Sequence, residues 1–76
     1  MITVKLYGLL RIESGIKETK LKAGIVKEVL EQLACCGLNH KDLDGCVTLV
    51  NGKNANKRSK LTDGDVVVLM SPAAGG

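Results

Sequence analysis

The chain has 76 residues, enough for one domain at most and too few for a barrel or a doubly wound sheet. Hydrophobic residues make up 45% and charged residues 25%, a globular balance far from that of disorder. Eleven basic residues against eight acidic ones leave only +3, and Tyr7 is the one aromatic residue, so a nucleic-acid partner is not expected.

At the start, Ile2, Val4 and Leu6 alternate with Thr3, Lys5 and Tyr7, the period of a strand with one buried face. No basic segment followed by an apolar run precedes it, so no leader is expected. Residues 8–15 break the alternation. Leu9, Leu10 and Ile12 predict a packed loop or a short helical turn there. Residues 16–21 read as a second strand, at an edge, where charges discourage association. The period then changes. Ile25, Val26, Val29, Leu30 and Leu33 form one apolar stripe and predict a helix over 25–36. Gly24 is its expected N-cap, and Gly37 the left-handed residue past its end.

Residues 38–45 read as a polar connection and 46–50 as a third strand. Asn51-Gly52 is a strong tight-turn signal. Residues 53–60 are basic and leave room for only a short strand. Asp63-Gly64-Asp65 is a further turn. Val66, Val67, Val68, Leu69 and Met70 form a last strand whose unbroken apolar run places it centrally or covered on both faces. No run is long enough to span a membrane.

This order fits a two-layer α+β domain, in which a mixed sheet of four to five strands packs on one main helix: the β-grasp, or ubiquitin-like, arrangement. The expected organisation is a domain over 1–70 and an extended flexible tail over 71–76, ending Gly75-Gly76. Two terminal glycines suit a tail that threads a narrow channel, because glycine lacks a Cβ. The carboxylate of Gly76 is then the candidate reacting group. It is a poor electrophile and needs activation, typically as an acyl-adenylate.

The cysteines carry less. Cys35, Cys36 and Cys46 are an odd number with an adjacent pair, which is not a disulfide framework and points to a reducing, cytoplasmic setting. With His40 they lack zinc-site spacing, so no metal is expected. Cys35 and Cys46 read as small core residues and His40 as a loop residue. Asp42 and Asp44 are too few for a calcium loop, and turn chemistry explains Asp63 and Asp65. No phosphate-cradling loop is present, so ATP is not expected to bind the chain alone.

Residues 61–68 (Leu-Thr-Asp-Gly-Asp-Val-Val-Val), followed by Pro72 and Gly75-Gly76, resemble the ubiquitin-like sulfur carriers of the MoaD and ThiS types. The opening, Met1 to Tyr7, with Leu10-Arg11-Ile12 and Gly15, is most similar to the MoaD type, the small subunit of molybdopterin synthase. Val50-Asn51-Gly52 also resembles its third-strand exit. Ser71 stands where that type usually has proline, and Asn54 where it often has an apolar residue.

The resemblance implies a mechanism and partners. A ubiquitin-activating-type adenylyltransferase would use Mg-ATP to adenylate Gly76. A persulfide-bearing sulfurtransferase would replace AMP and leave a thiocarboxylate. An acceptor enzyme, such as the large subunit of molybdopterin synthase in a heterotetramer, would take the sulfur. The chain would bind no cofactor itself and would act as a protein co-substrate. Thiamine- or cysteine-type carriers, and ubiquitin-like modifiers forming isopeptide bonds, share the activated tail. A binding domain with an idle tail is the remaining alternative. Tyr7, Met70, Pro72, Ala73 and Ala74 are the expected partner-binding residues, though Tyr7 and Met70 also suit ordinary packing at the edge of a core. Lys53, Lys57, Arg58 and Lys60 could meet an acidic surface or simply blunt an edge strand.

Overall fold

The computed structural model describes residues 1–38, 41, 43 and 45–71. Strand β1 spans Ile2–Tyr7, helix α1 Leu9–Ser14, strand β2 Glu18–Leu21 and helix α2 Val26–Cys35. Strands β3 (Val47–Val50), β4 (Lys53–Asn54) and β5 (Val66–Met70) complete it. They form one five-stranded sheet in the order β2-β1-β5-β3-β4. The central pair, β1 and β5, is parallel, and the other pairs are antiparallel. Strand β5 is thus central and β2 lies at an edge, as the apolar run of the one and the charges of the other predict.

The core lies between α2 and one face of the sheet. Val26, Val29, Leu30 and Leu33 of α2 join Ile2, Val4, Leu6, Val67 and Leu69 in a single buried cluster. Burying each such side chain contributes about 1.5–3 kcal/mol relative to exposure.

The start of α2 differs from expectation by one residue. Ile25, not Gly24, is the N-cap. Isoleucine offers no acceptor, so only half a capping box forms: the Glu28 carboxylate accepts the Ile25 N–H at 3.0 Å. Gly24 leaves room for this, since a Cβ there would lie 2.7 Å from Glu28 Oε1. The next donors go to the distant loop, Val26 N–H to the Ser59 carbonyl and Lys27 N–H to the Lys57 carbonyl, both at 3.0 Å. That loop therefore serves as the helix's cap.

The helix end follows the glycine signal. Gly37 has φ 102°, and the Gly37 and Leu38 N–H groups reach back to the Ala34 and Leu33 carbonyls, a Schellman arrangement. The reversal returns Leu38 to the core, where Leu43 is also buried. The connection over 38–45 is therefore less polar than its composition suggests.

Two sequence expectations about side chains are corrected. Cys35 is exposed, as is Cys36, whereas Cys46 is half-buried and packs against the core as expected. Position 35 lies two residues past Leu33, about 200° around the helix and so on its outer side, and Cys36 is the C-cap, where the helix has ended. In the 8–15 segment only Leu10 is buried, whereas Leu9 and Ile12 are exposed. One turn of helix cannot bury positions 9, 10 and 12 on one face.

The Asn51-Gly52 turn forms as expected, with φ 51° and 84° and Val50 paired to Lys53 across it. It is tied to the Asp63–Asp65 turn. The Asn51 side-chain amide donates to Asp65 Oδ1 at 3.0 Å, and Asn51 Oδ1 accepts the Val66 N–H at 3.0 Å. The other Asp65 oxygen accepts the Thr62 N–H at 2.8 Å. These bonds to the charged form, the backbone one first, hold the Asp65 pKa below the usual carboxylate value. The terminal ammonium of Met1 pairs with Asp63 at the same end of the sheet.

Candidate functional site: the open sheet face and the root of the tail

Strand alternation sends every second residue away from α2. On that open face Tyr7, Met70 and Val47 make one row across β1, β5 and β3. Lys5, Val68, Leu49 and Asn54 make the next row, reaching β4. Thr3 and Val66 stand in a third. Tyr7 is 41% and Val47 42% exposed, and Val66, Val68, Leu49 and Met70 are half-buried. The result is a shallow apolar surface with Lys5 near its middle.

Tyr7 and Met70 are thus brought together, in the row nearest the end of β5. Val47, Leu49, Val66 and Val68 extend the surface and were not singled out from sequence. For Val66 and Val68 the signal is present in the unbroken apolar run of β5. One ten-residue helix covers a single sheet face, so apolar residues at both parities leave a second face that no other element covers among the described residues. Asn54 is exposed at the β4 edge of this face.

The root of the tail is Ser71. It lies one step past the Tyr7–Met70 pair and faces Gly8, one step past Tyr7. Ser71 Oγ accepts the Leu9 N–H at 2.8 Å. Pro72, Ala73, Ala74, Gly75 and Gly76 lie outside the described residues, as do His40, Asp42 and Asp44. Among the described residues no three His, Cys, Asp or Glu side chains gather as a metal site. No helix among them is long and apolar enough to cross a membrane.

The basic residues 53–60 lie toward the other end of the sheet. Lys53 sits beside the Asn51-Gly52 turn, and Lys60 pairs with Ile25 before α2. They are separate from the Tyr7–Met70–Val47 row.

A helix crossed over a mixed sheet with a parallel central pair, and a central last strand leading to the C-terminus, defines the β-grasp class. Within it, the chain belongs to the ThiS family, whose model matches residues 4–76. Its ubiquitin-like relatives comprise sulfur carriers and modifiers. No curated protein sequence is significantly similar to the chain. Among solved structures, the small archaeal modifier protein 1 of Methanosarcina acetivorans is similar with a TM-score of 0.84 at 24% identity, covering 99% of this chain and 95% of that one. Subunit 1 or 2 of the molybdopterin-converting factor of Helicobacter pylori, solved as a complex of the two, is similar with a TM-score of 0.70 at 26% identity, covering 99% and 97%. A chain of the BexX/CysO complex of Amycolatopsis orientalis is similar with a TM-score of 0.73 at 20% identity, covering all of both chains.

Proposed function

We propose that this chain is a sulfur carrier that acts through Gly76. The observation that carries the reading is the joining of a ThiS-family β-grasp domain, matched through residue 76, to a Gly75-Gly76 terminus. The Gly76 carboxylate attacks the α-phosphorus of Mg-ATP in an adenylyltransferase and releases pyrophosphate. The outer sulfur of a sulfurtransferase persulfide then displaces AMP to give an acyl disulfide, and a second thiol cleaves it, forming a new disulfide and releasing the Gly76 thiocarboxylate. The chain supplies no acid or base. It supplies an unhindered terminal carbonyl on a narrow tail and a surface that docks it.

The acceptor we favour is the large subunit of molybdopterin synthase, in the cytoplasm. Two features support it. The β1–β2 connection is long enough to hold α1, as in the MoaD type, and the Helicobacter pylori molybdopterin-converting factor is similar over nearly the whole chain. The open apolar face is where such partners dock, with Tyr7 and Met70 beside the tail. Pro72, Ala73 and Ala74 then line the partner's channel.

The test is the intact mass after incubation with Mg-ATP, a ubiquitin-activating-type adenylyltransferase and a sulfide source. The expected gain equals the replacement of one oxygen by sulfur, lost when Gly76 is deleted. Conjugates to partner lysines without that gain would identify a modifier instead. No change with an enzyme that accepts such carriers would leave a passive binding domain.

A further inference from the structure

The junction of the domain with its tail is built from three residues of two distant segments. Strands β1 and β5 run parallel, and their ladder ends at Tyr7 and Met70. Beyond that pair the backbones part: Gly8 turns the chain into α1, and Ser71 begins the tail. Gly8 has φ 66° and ψ −141°, a conformation that essentially only glycine adopts. It also leaves a seat. A Cβ on Gly8 would lie 2.3 Å from Ser71 Oγ, so only glycine lets the hydroxyl settle there. Seated, Ser71 Oγ accepts the N–H of Leu9, the first residue of α1, at 2.8 Å. No side chain of α1's own N-terminal segment caps it. The acceptor comes from 62 residues away in sequence.

From this geometry we infer that Ser71 is a positioning residue for the reactive tail, anchored in the Gly8 seat. The inference rests on the carrier reading for its functional consequence. From Met70 to Gly76 the chain has six steps, and from an anchor at Ser71 it has five. The fully extended span falls from about 20 Å to about 17 Å. The take-off direction is also set by α1 before any partner arrives. A residue already ordered need not be ordered on binding, so the anchor tightens association with the activating enzyme. It leaves the chemistry at Gly76, five residues away, unchanged. Where proline would restrict the backbone at 71 through its ring, serine restricts it through a hydrogen bond.

The experiment compares the full chain with Ser71→Ala and Ser71→Thr. Two readouts are taken: amide exchange at Leu9, and the KM and kcat of ATP–pyrophosphate exchange by an adenylyltransferase that accepts sulfur carriers of this family. Ser71→Ala should speed Leu9 amide exchange and raise the KM for the carrier by about 5- to 30-fold, the cost of ordering one residue. Its kcat should be unchanged, and Ser71→Thr, which keeps the hydroxyl, should restore both. Unchanged Leu9 exchange in Ser71→Ala overturns the anchor. Faster exchange with unchanged KM overturns its role in positioning. If the unsubstituted chain is not adenylated at all, the carrier reading fails, and the positioning role falls with it. The Leu9 exchange would then report on the hydrogen bond alone, so the two failures are told apart.

Discussion

Tyr7 and Met70 are the last register partners of the parallel β1–β5 ladder, and both stand on the sheet face opposite α2. Their pairing puts an adaptable thioether and an aromatic ring beside the residue from which the tail departs. Methionine suits a surface that must meet several partners in turn. A carboxylate at this position would be desolvated without a counter-charge on docking. Met70→Glu should therefore weaken binding to the adenylyltransferase by about tenfold or more, the range of an interface hot spot. Met70 is only half-buried, so the melting temperature should change little. Calorimetric titration alongside thermal melting separates the two effects. Unchanged affinity would remove this face from the docking surface.

Asp65 joins two turns, and its charged form is the one that is held. Its pKa is lowered chiefly by the Thr62 N–H and then by the Asn51 amide. A depressed carboxylate contributes stability that is present above its unfolded value, about 3.9, and lost as pH falls through the folded value. Asp65→Asn should melt lower than the unsubstituted chain at pH 7. The gap should close as the pH falls below about 4. A gap of constant size from pH 7 to pH 2.5 would show that the charge plays no part. Thermal melting across that range decides it.

The fold was legible because its signals are local. The alternation in β1, the apolar stripe of α2, Asn51-Gly52 and the β5 run each dictate their own element. Boundaries shifted where distant groups decide them. The start of α2 moved to Val26 because residues 57–59 supply its acceptors, which no local pattern records. Residues 16 and 17 fell outside β2 because Lys5, two residues short of the end of β1, pairs with Glu18, and the ladder stops there. That Tyr7 and Met70 are neighbours is legible from their place at strand ends. Val47 and Leu49 were missed because their exposure depends on which sheet face α2 covers. The Ser71 contact lies further from reach, since it joins positions 62 apart and depends on an empty space at Gly8.

The thiols offer a check on how α2 is oriented. Cys35 and Cys36 are exposed, while Cys46 is half-buried and donates through Sγ to the Leu43 carbonyl at 2.9 Å. Under native conditions iodoacetamide should label Cys35 and Cys36 first and Cys46 last. Cys35→Ser should cost no more than about 0.5 kcal/mol, as at other surface positions. Peptide mass mapping at short labelling times reads the order. Rapid labelling of Cys46 ahead of the other two would contradict the packing of the 43–48 segment.

Gly8→Ala tests the seat by a double-mutant cycle. Two costs are expected in the unsubstituted background. One is conformational, roughly 1–3 kcal/mol for a side chain in a sparsely populated backbone region. The other is steric, because the new methyl would displace Ser71 Oγ from a position 2.3 Å away. In Ser71→Ala the oxygen is gone, and the nearest remaining atom, Ser71 Cβ, lies 3.6 Å from the new methyl, an ordinary contact. The conformational cost should then persist while the steric cost and the lost hydrogen bond vanish. The double variant should thus be more stable than the sum of the single effects by about 1 kcal/mol or more, the worth of a coupled contact. For a domain of this size that coupling is roughly 4–8 °C in melting temperature. Strict additivity would mean that Gly8 is required for its backbone conformation alone. Ser71 would then owe its position to the chain on either side of it.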